Sequence, residues 1–162
     1  RSLITSLLLT VNRMSMEKVT EILARKQHHF HKISPACSMN DAICRMSSQN
    51  TDYLIVMDDN ENFLGLLTEH DVARKTIFGN KSMTKTLVNE IMNTRLPVAD
   101  ADDTVDQCMQ AMKRYNVRYL PVFQHLHFMG IISSDDILRE VVAMRANVFD
   151  EEGAVPLSGA IV

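Results

Sequence analysis

One octapeptide pattern occurs twice in this chain, as Gly65-Leu66-Leu67-Thr68-Glu69-His70-Asp71-Val72 and as Gly130-Ile131-Ile132-Ser133-Ser134-Asp135-Asp136-Ile137. Each copy reads glycine, two aliphatics, a hydroxyl residue, two free positions, an aspartate and another aliphatic. The glycines are 65 residues apart, a period longer than that of the common solenoid repeats, which points to a pair of similar small modules. A chain of 162 residues has room for one domain of ordinary size. The two modules must therefore share it.

The stretches that precede each copy repeat in the same order. Val19, Ile22, Leu23 and Lys26 fall at i, i+3, i+4 and i+7, the stripe of a short amphipathic helix, and Leu87, Val88, Ile91 and Met92 match it. Ile33-Ser34-Pro35 and Leu96-Pro97-Val98 predict brief extended segments, because a residue before proline is pushed out of the α region. Ser38-x-x-Asp41 and Thr104-x-x-Gln107 are helix starts. The helices that follow keep their apolar register, with Val105, Cys108, Met109 and Met112 each 66 positions beyond Met39, Ala42, Ile43 and Met46. Tyr53 to Met57 and Phe63 to Leu67 predict two strands joined by a polar turn; Tyr119 to Phe123 and the segment from Phe128 repeat them with a turn one residue shorter. Thr68 then caps a helix over 72–78. The closing helix, 136–149, is the longer of its pair and presents Ile137, Leu138, Val141, Val142, Arg145, Val148 and Phe149, an apolar excess that suggests a partner. The expected division is an N-terminal extension (1–14), a first repeat (15–80), a second repeat (81–149) and a tail (150–162). The extension reads as a docking strand or helix, or as the end of something upstream.

Composition narrows the function classes. A hydrophobic fraction of 46% with 23% charged residues is that of a globular domain. A net charge of −3, with scattered basic residues and no aromatic interleaving, disfavours nucleic acid. The apolar run from Leu3 to Val11 is too short to span a membrane and lacks the flanks of a secretory signal. Cys37, Cys44 and Cys108 form no Cys-x-x-Cys pair, and unpaired thiols suggest a reducing, cytoplasmic setting. Histidines His28, His29 and His31, like His125 and His127, have no companion cysteine or carboxylate set, so no metal is expected. No P-loop, Gly-x-Ser-x-Gly or Gly-x-Gly-x-x-Gly is present, and no general base is aimed at a nucleophile. An enzyme is not expected.

A three-stranded sheet with two helices on one face needs its other face buried, and a second copy is the natural lid. The expected fold is therefore α/β (α+β), two three-stranded sheets packed face to face about a pseudo-twofold axis. Two equivalent clefts follow, each edged by a capped helix start that favours an anion, with aliphatics that suit a flat ring. Taken alone, Thr68-x-x-Asp71 and Ser133-x-x-Asp136 are better read as helix caps, since Ser38-x-x-Asp41 and Thr104-x-x-Gln107 start helices in the same way.

With Asn89-Glu90-Ile91-Met92 and Asn116-Val117-Arg118-Tyr119-Leu120-Pro121-Val122 added to the two glycine motifs, the chain resembles the CBS-domain family, as a tandem pair over about residues 16 to 145. The resemblance implies regulatory binding of an adenine nucleotide or related adenosyl ligand, AMP being the best match, with no cofactor required, a flat homodimer as the common assembly, and a separate regulated protein. It implies that Asp71 and Asp136 accept hydrogen bonds from ribose hydroxyls, with Thr68 and Ser133 by the ribose and phosphate. Val98, Ala99, Val117, Arg118 and Tyr119 would complete the first cleft. Ile33, Ser34, Asp52 and Tyr53, with Ile132, would complete the second. His70 stands where relatives often carry arginine, which favours one phosphate over three, with Arg74 and Lys75 as compensating cations. Arg118 faces the first cleft where the carboxylate of Asp52 faces the second, so the clefts should differ in anion affinity. The rival reading is a ligand-free interaction module that docks through its apolar helices.

Overall fold

The hydroxyl-x-x-acid and hydroxyl-x-x-amide segments do start helices. In the computed structural model, which describes residues 16–26 and 30–151, the Ser38 hydroxyl accepts from the Asp41 amide and the Thr104 hydroxyl from the Gln107 amide, each answered by the acidic or amide side chain bonding back. Such a reciprocal box stabilises a helix start by about 1 kcal/mol. The two helices end alike, on Asn50 and Asn116 at φ 48° and 51°, the left-handed conformation that asparagine tolerates. The expected extension and tail, and His28 and His29, lie outside the described residues, as do the side chains of Arg145, Val148 and Phe149.

In chain order the elements are α1 (Val19–Arg25), β1 (Lys32–Ile33), α2 (Met39–Gln49), β2 (Tyr53–Met57), β3 (Phe63–Thr68), α3 (Glu69–Asp71) running into a π-helix (Val72–Ile77), α4 (Val88–Ile91), β4 (Ala99–Asp100), α5 (Val105–Tyr115), β5 (Tyr119–Gln124), β6 (His127–Ser133) and α6 (Ser134–Glu151). They form two sheets, ordered β1-β2-β3 and β4-β5-β6. In each, the short first strand runs parallel to the central one and the third runs antiparallel to it.

The sheets pack face to face. Ile55, Met57, Leu66 and Ile131 are buried between them, with Tyr53, Phe63, Leu96, Tyr119 and Phe128 around the edge. The rings of Phe63 and Phe128 stack at 4.7 Å. On the outer faces two further cores lie under the helices. Of the expected helix stripe, Met39, Ala42 and Met46 are buried, as are Val105, Cys108 and Met112, whereas Met109 is half exposed and packs as surface. Cys108 fills the place of Ala42 as a small apolar group, and burial pushes its thiol pKa up to about 11, which leaves it unreactive.

The helices that open the two repeats are exchanged. Val19, Ile22 and Leu23 of α1 pack with Ala99, Val105, Leu120 and Ile132 of the second sheet's core. Val88 and Ile91 of α4 pack with Ile33, Met39, Leu54 and Val72 of the first. Backbone bonds fix both crossings: Val19 N donates to the Asp103 carbonyl at 2.9 Å and Val105 N to that of Glu17 at 2.8 Å, and Val88 N donates to Cys37 and Met39 N to Thr86 at 2.9 and 3.0 Å. The packed units are thus offset from the sequence repeats by one helix.

Gly65 owes its place to the chain that follows α4. Asn93 pairs with Leu66 through N–H···O bonds of 2.8 and 3.0 Å, and a Cβ on Gly65 would stand 2.6 Å from the Asn93 carbonyl oxygen. At Gly130 the reason is different: φ is +151°, a backbone conformation open mainly to glycine. Two differences from the sequence expectation stand out. The helix after Thr68 begins at Glu69 and widens into a π-helix over Val72–Ile77, with Phe78 N bonded to Ala73 O at 3.0 Å. The α4 helix is a single turn.

Candidate functional site: a cleft between the sheets

Thr68 closes β3 and caps α3. Its hydroxyl accepts from the Asp71 amide at 3.1 Å and donates to Asp71 Oδ2 at 2.8 Å, while the Thr68 amide donates to that same oxygen at 3.3 Å. The other carboxylate oxygen lies 2.9 Å from Lys75 Nζ, one turn along, and Lys75 also donates to the Ile91 carbonyl at 3.0 Å. Lys75 therefore neutralises Asp71 and is not a free compensating cation for a phosphate. A carboxylate offers about four lone-pair directions, so Asp71 keeps acceptor capacity at the edge of the cleft it lines.

That cleft has a volume of about 480 Å³, within the range of small-molecule sites, ~300–1,000 Å³. Leu66, Leu96, Val117 and Tyr119 give it apolar surface; His70, Arg74 and Arg118 give it basic groups. Asn93 and Asn116 complete the lining. Arg118 lies 3.3 Å from Asp135, and both side chains are more than half exposed, so the pair holds the guanidinium only weakly.

Five of the expected residues are thus brought together: Thr68, Asp71, Val117, Arg118 and Tyr119. Val98 and Ala99 are not among the residues lining the cleft. Ala99 is buried under the helices with Val19 and Ile22, and Val98 is largely exposed just before β4. Leu96 and Asn93 take their place. The segment 94–98 ahead of β4 is not strand, and it presents Leu96 rather than Val98 to the cleft; within the strands, successive side chains face opposite sides of the sheet. The same parity governs the two aliphatics of each motif: Leu66 and Ile131 face the other sheet, while Leu67 and Ile132 face the helices.

Around the second motif the geometry departs further. Ser133 caps α6, accepting from the Asp136 amide at 3.0 Å while its own amide donates to Asp136 Oδ2 at 2.9 Å. That oxygen also receives Lys26 Nζ at 2.7 Å. The pocket beside Asp136, about 400 Å³, is lined by Ile22, Arg25, Lys26, Arg139 and Glu140 and by none of the expected Ile33, Ser34, Asp52, Tyr53 or Ile132. Ile33 and Ile132 are buried in the helix-side cores. Ser34 accepts the Ala36 amide within a turn, at 3.3 Å. Asp52 accepts the Tyr119 hydroxyl, and Tyr53 packs against Tyr119 with ring centroids 5.0 Å apart. Lys26, which periodicity puts at the end of an apolar stripe, carries no local mark of its contact with Asp136.

Two segments of the chain, residues 19–77 and 88–143, match the profile of the CBS domain. The chain belongs to the CBS-domain family. Both copies span the boundaries at which the two sheets and their helices repeat. A CBS-domain structure from Burkholderia ambifaria, described as a putative signal-transduction protein, superposes with a TM-score of 0.72 at 29% identity, covering 78% of this chain and 94% of that one. The CBS-domain pair of another protein, solved in complex with 5′-methylthioadenosine and S-adenosyl-L-methionine, matches at 25% identity with a TM-score of 0.68 over 79% of this chain and 98% of that one. A mitochondrial CBS-domain protein of Arabidopsis thaliana, CBSX3, is 31% identical over 106 residues, 63% of this chain and 52% of its own. An uncharacterized protein of Methanocaldococcus jannaschii is 28% identical over 150 residues, 85% of this chain but 35% of that protein. The chain thus spans about a third to a half of the length of these two relatives. CBS-domain pairs are regulatory modules. Among the described residues, no helix is long and apolar enough to cross a membrane, and no group of three or more metal-ligating side chains converges.

Proposed function

We propose that this CBS-domain pair is a regulatory sensor that binds an adenosyl nucleotide, with a monophosphate of the AMP type as the best match, in the cleft between Asp71 and Arg118. The observation that carries the reading is the opposition of an acceptor and a cation across one apolar cleft. Asp71, already fixed by Thr68 and Lys75, would take ribose hydroxyls. Leu66, Leu96 and Val117 would hold the base. Arg118, whose side chain is bound among the described residues to exposed Asp135 alone, would turn to the phosphate at little cost, with Arg74 beside it. The adenosyl ligands of the solved CBS-domain pair support the ligand class. Binding would report to a protein outside these residues, without catalysis.

Thermal-shift measurements with AMP, ADP, ATP, S-adenosylmethionine and NADH test this. Saturable stabilisation by AMP is expected, about 2.7 kcal/mol at a hundredfold excess over Kd. Asp71→Ala should abolish it, and Arg118→Ala should weaken AMP more than adenosine. A flat response to every compound would favour the second reading, a ligand-free dimerisation module, for which the exposed Ile77, Phe78, Leu138 and Val142 would supply the contact surface. Homodimerisation through that surface is compatible with either reading.

A further inference from the structure

Lys26 comes from the far end of the exchanged helix α1 and ends beneath the second motif. Its ammonium has three acceptors within hydrogen-bond reach: Asp136 Oδ2 at 2.7 Å, the Ile131 carbonyl at 3.2 Å and the Tyr53 hydroxyl at 3.3 Å. Three donors meet three acceptors. The ammonium also stands 5.7 Å from the centroid of the Tyr53 ring. Burial opposes its charge, but the attraction of Tyr53 and Asp136 outweighs burial and holds its pKa above the usual lysine value.

The first cleft is built differently at the matching place. There the chain after α4 meets the strand through the backbone pair of Asn93 and Leu66, with Met92 packed against the core, and among the described residues it makes no side-chain bond to Asp71. The cation on Asp71 is Lys75, which lies on the same helix and leaves the cleft side open. On Asp136 the cation comes instead from the end of α1, an element far from the second motif in sequence.

We infer that Lys26 is an internal occupant of the second cleft, taking on Asp136 the donor position that a ribose hydroxyl would take, so that the chain binds one nucleotide where its two motifs suggest two. A neutral hydroxyl cannot displace it on equal terms, because a charge-assisted hydrogen bond is roughly twice as strong as a neutral one. Displacement would also leave Asp136, whose side chain is only 10% exposed, without its cation. The inference rests on the nucleotide-binding reading for its consequence and on the Lys26 contacts for its cause.

Two measurements test cause and consequence separately. Acetylation of the wild-type chain with an N-hydroxysuccinimide ester, followed by peptide mass mapping, should modify Lys26 on the order of tenfold more slowly than exposed Lys81 and Lys85. Asp136→Asn should remove that protection. Calorimetric titration with AMP should give one site in the wild type and two in Lys26→Met, returning to one in Lys26→Met/Asp136→Asn. Labelling of Lys26 as fast as Lys81, two sites in the wild type, or one site in Lys26→Met would each overturn the inference. If no AMP binds to either protein, the nucleotide-binding reading falls, and the labelling still decides whether Lys26 is held on Asp136 in the folded chain without any ligand.

Discussion

The Tyr119 ring lines the cleft beside Asp71, and its hydroxyl donates to Asp52, just ahead of β2 of the opposite sheet. Burial, then the bond to the Asp52 carboxylate, raises the Tyr119 pKa far above the ordinary value of 10.0. The folded chain therefore keeps a proton that the unfolded chain releases, so the stabilisation is complete below about pH 10 and is lost as pH rises beyond it. Alkaline titration followed by tyrosinate absorbance should show one of the three tyrosines ionising only as the protein unfolds, and Tyr119→Phe should remove that late phase. An ordinary, reversible ionisation of all three would contradict the hydrogen bond. At this scale the sequence was legible where a residue repeats and caps, as Thr68, Asp71, Ser133 and Asp136 do. It was not legible where a single side chain reaches across space. Nothing local tells Lys26 on an amphipathic stripe that Asp136, 110 positions away, is its partner, and only the strand parity seen in the fold separates Leu66 from Leu67.

Elements carry the repeat most faithfully, and the turns depart from it. The loop between β5 and β6 is His125-Leu126, both at positive φ, 47° and 68°, the twist of a two-residue hairpin turn that normally calls for Asn-Gly. Leu126 is almost wholly exposed, so its side chain offers no burial to offset a left-handed backbone that costs about 1–2 kcal/mol in a residue with a Cβ. Replacing the pair by Asn-Gly should stabilise the chain by about 1 kcal/mol, read as a rise in Tm of about 2–4 °C, without changing AMP binding. No rise in Tm would mean that the backbone strain is relieved elsewhere. Strands and the two capped helices could be read from periodicity and capping because those are local signals. The π-helix had no such signal. Its widened turn holds Lys75, which bonds both Asp71 and the Ile91 carbonyl.

For the whole molecule, the paired sheets and their burial followed from the duplication, since each three-stranded sheet has one face that only its twin can cover. The exchange of α1 and α4 did not, because either helix would satisfy either core: Val19, Ile22 and Leu23 have the same apolar spacing as Val88, Ile91 and Met92. Their placement is decided by the backbone crossings at Val19–Asp103 and Val88–Cys37. Because each outer core contains residues from both repeats, urea unfolding should be a single transition, with the same midpoint by helix content and by tyrosine fluorescence. Two separated midpoints would refute that coupling.

A further consequence concerns breakage. A protease that nicks the exposed stretch around Lys81 to Lys85 would cut the chain into its two sequence repeats, yet each fragment would still hold the helix that seals the other. The nicked protein should elute from a sizing column as one particle. Either fragment expressed alone would lack its own seal, and mixing the two would restore both.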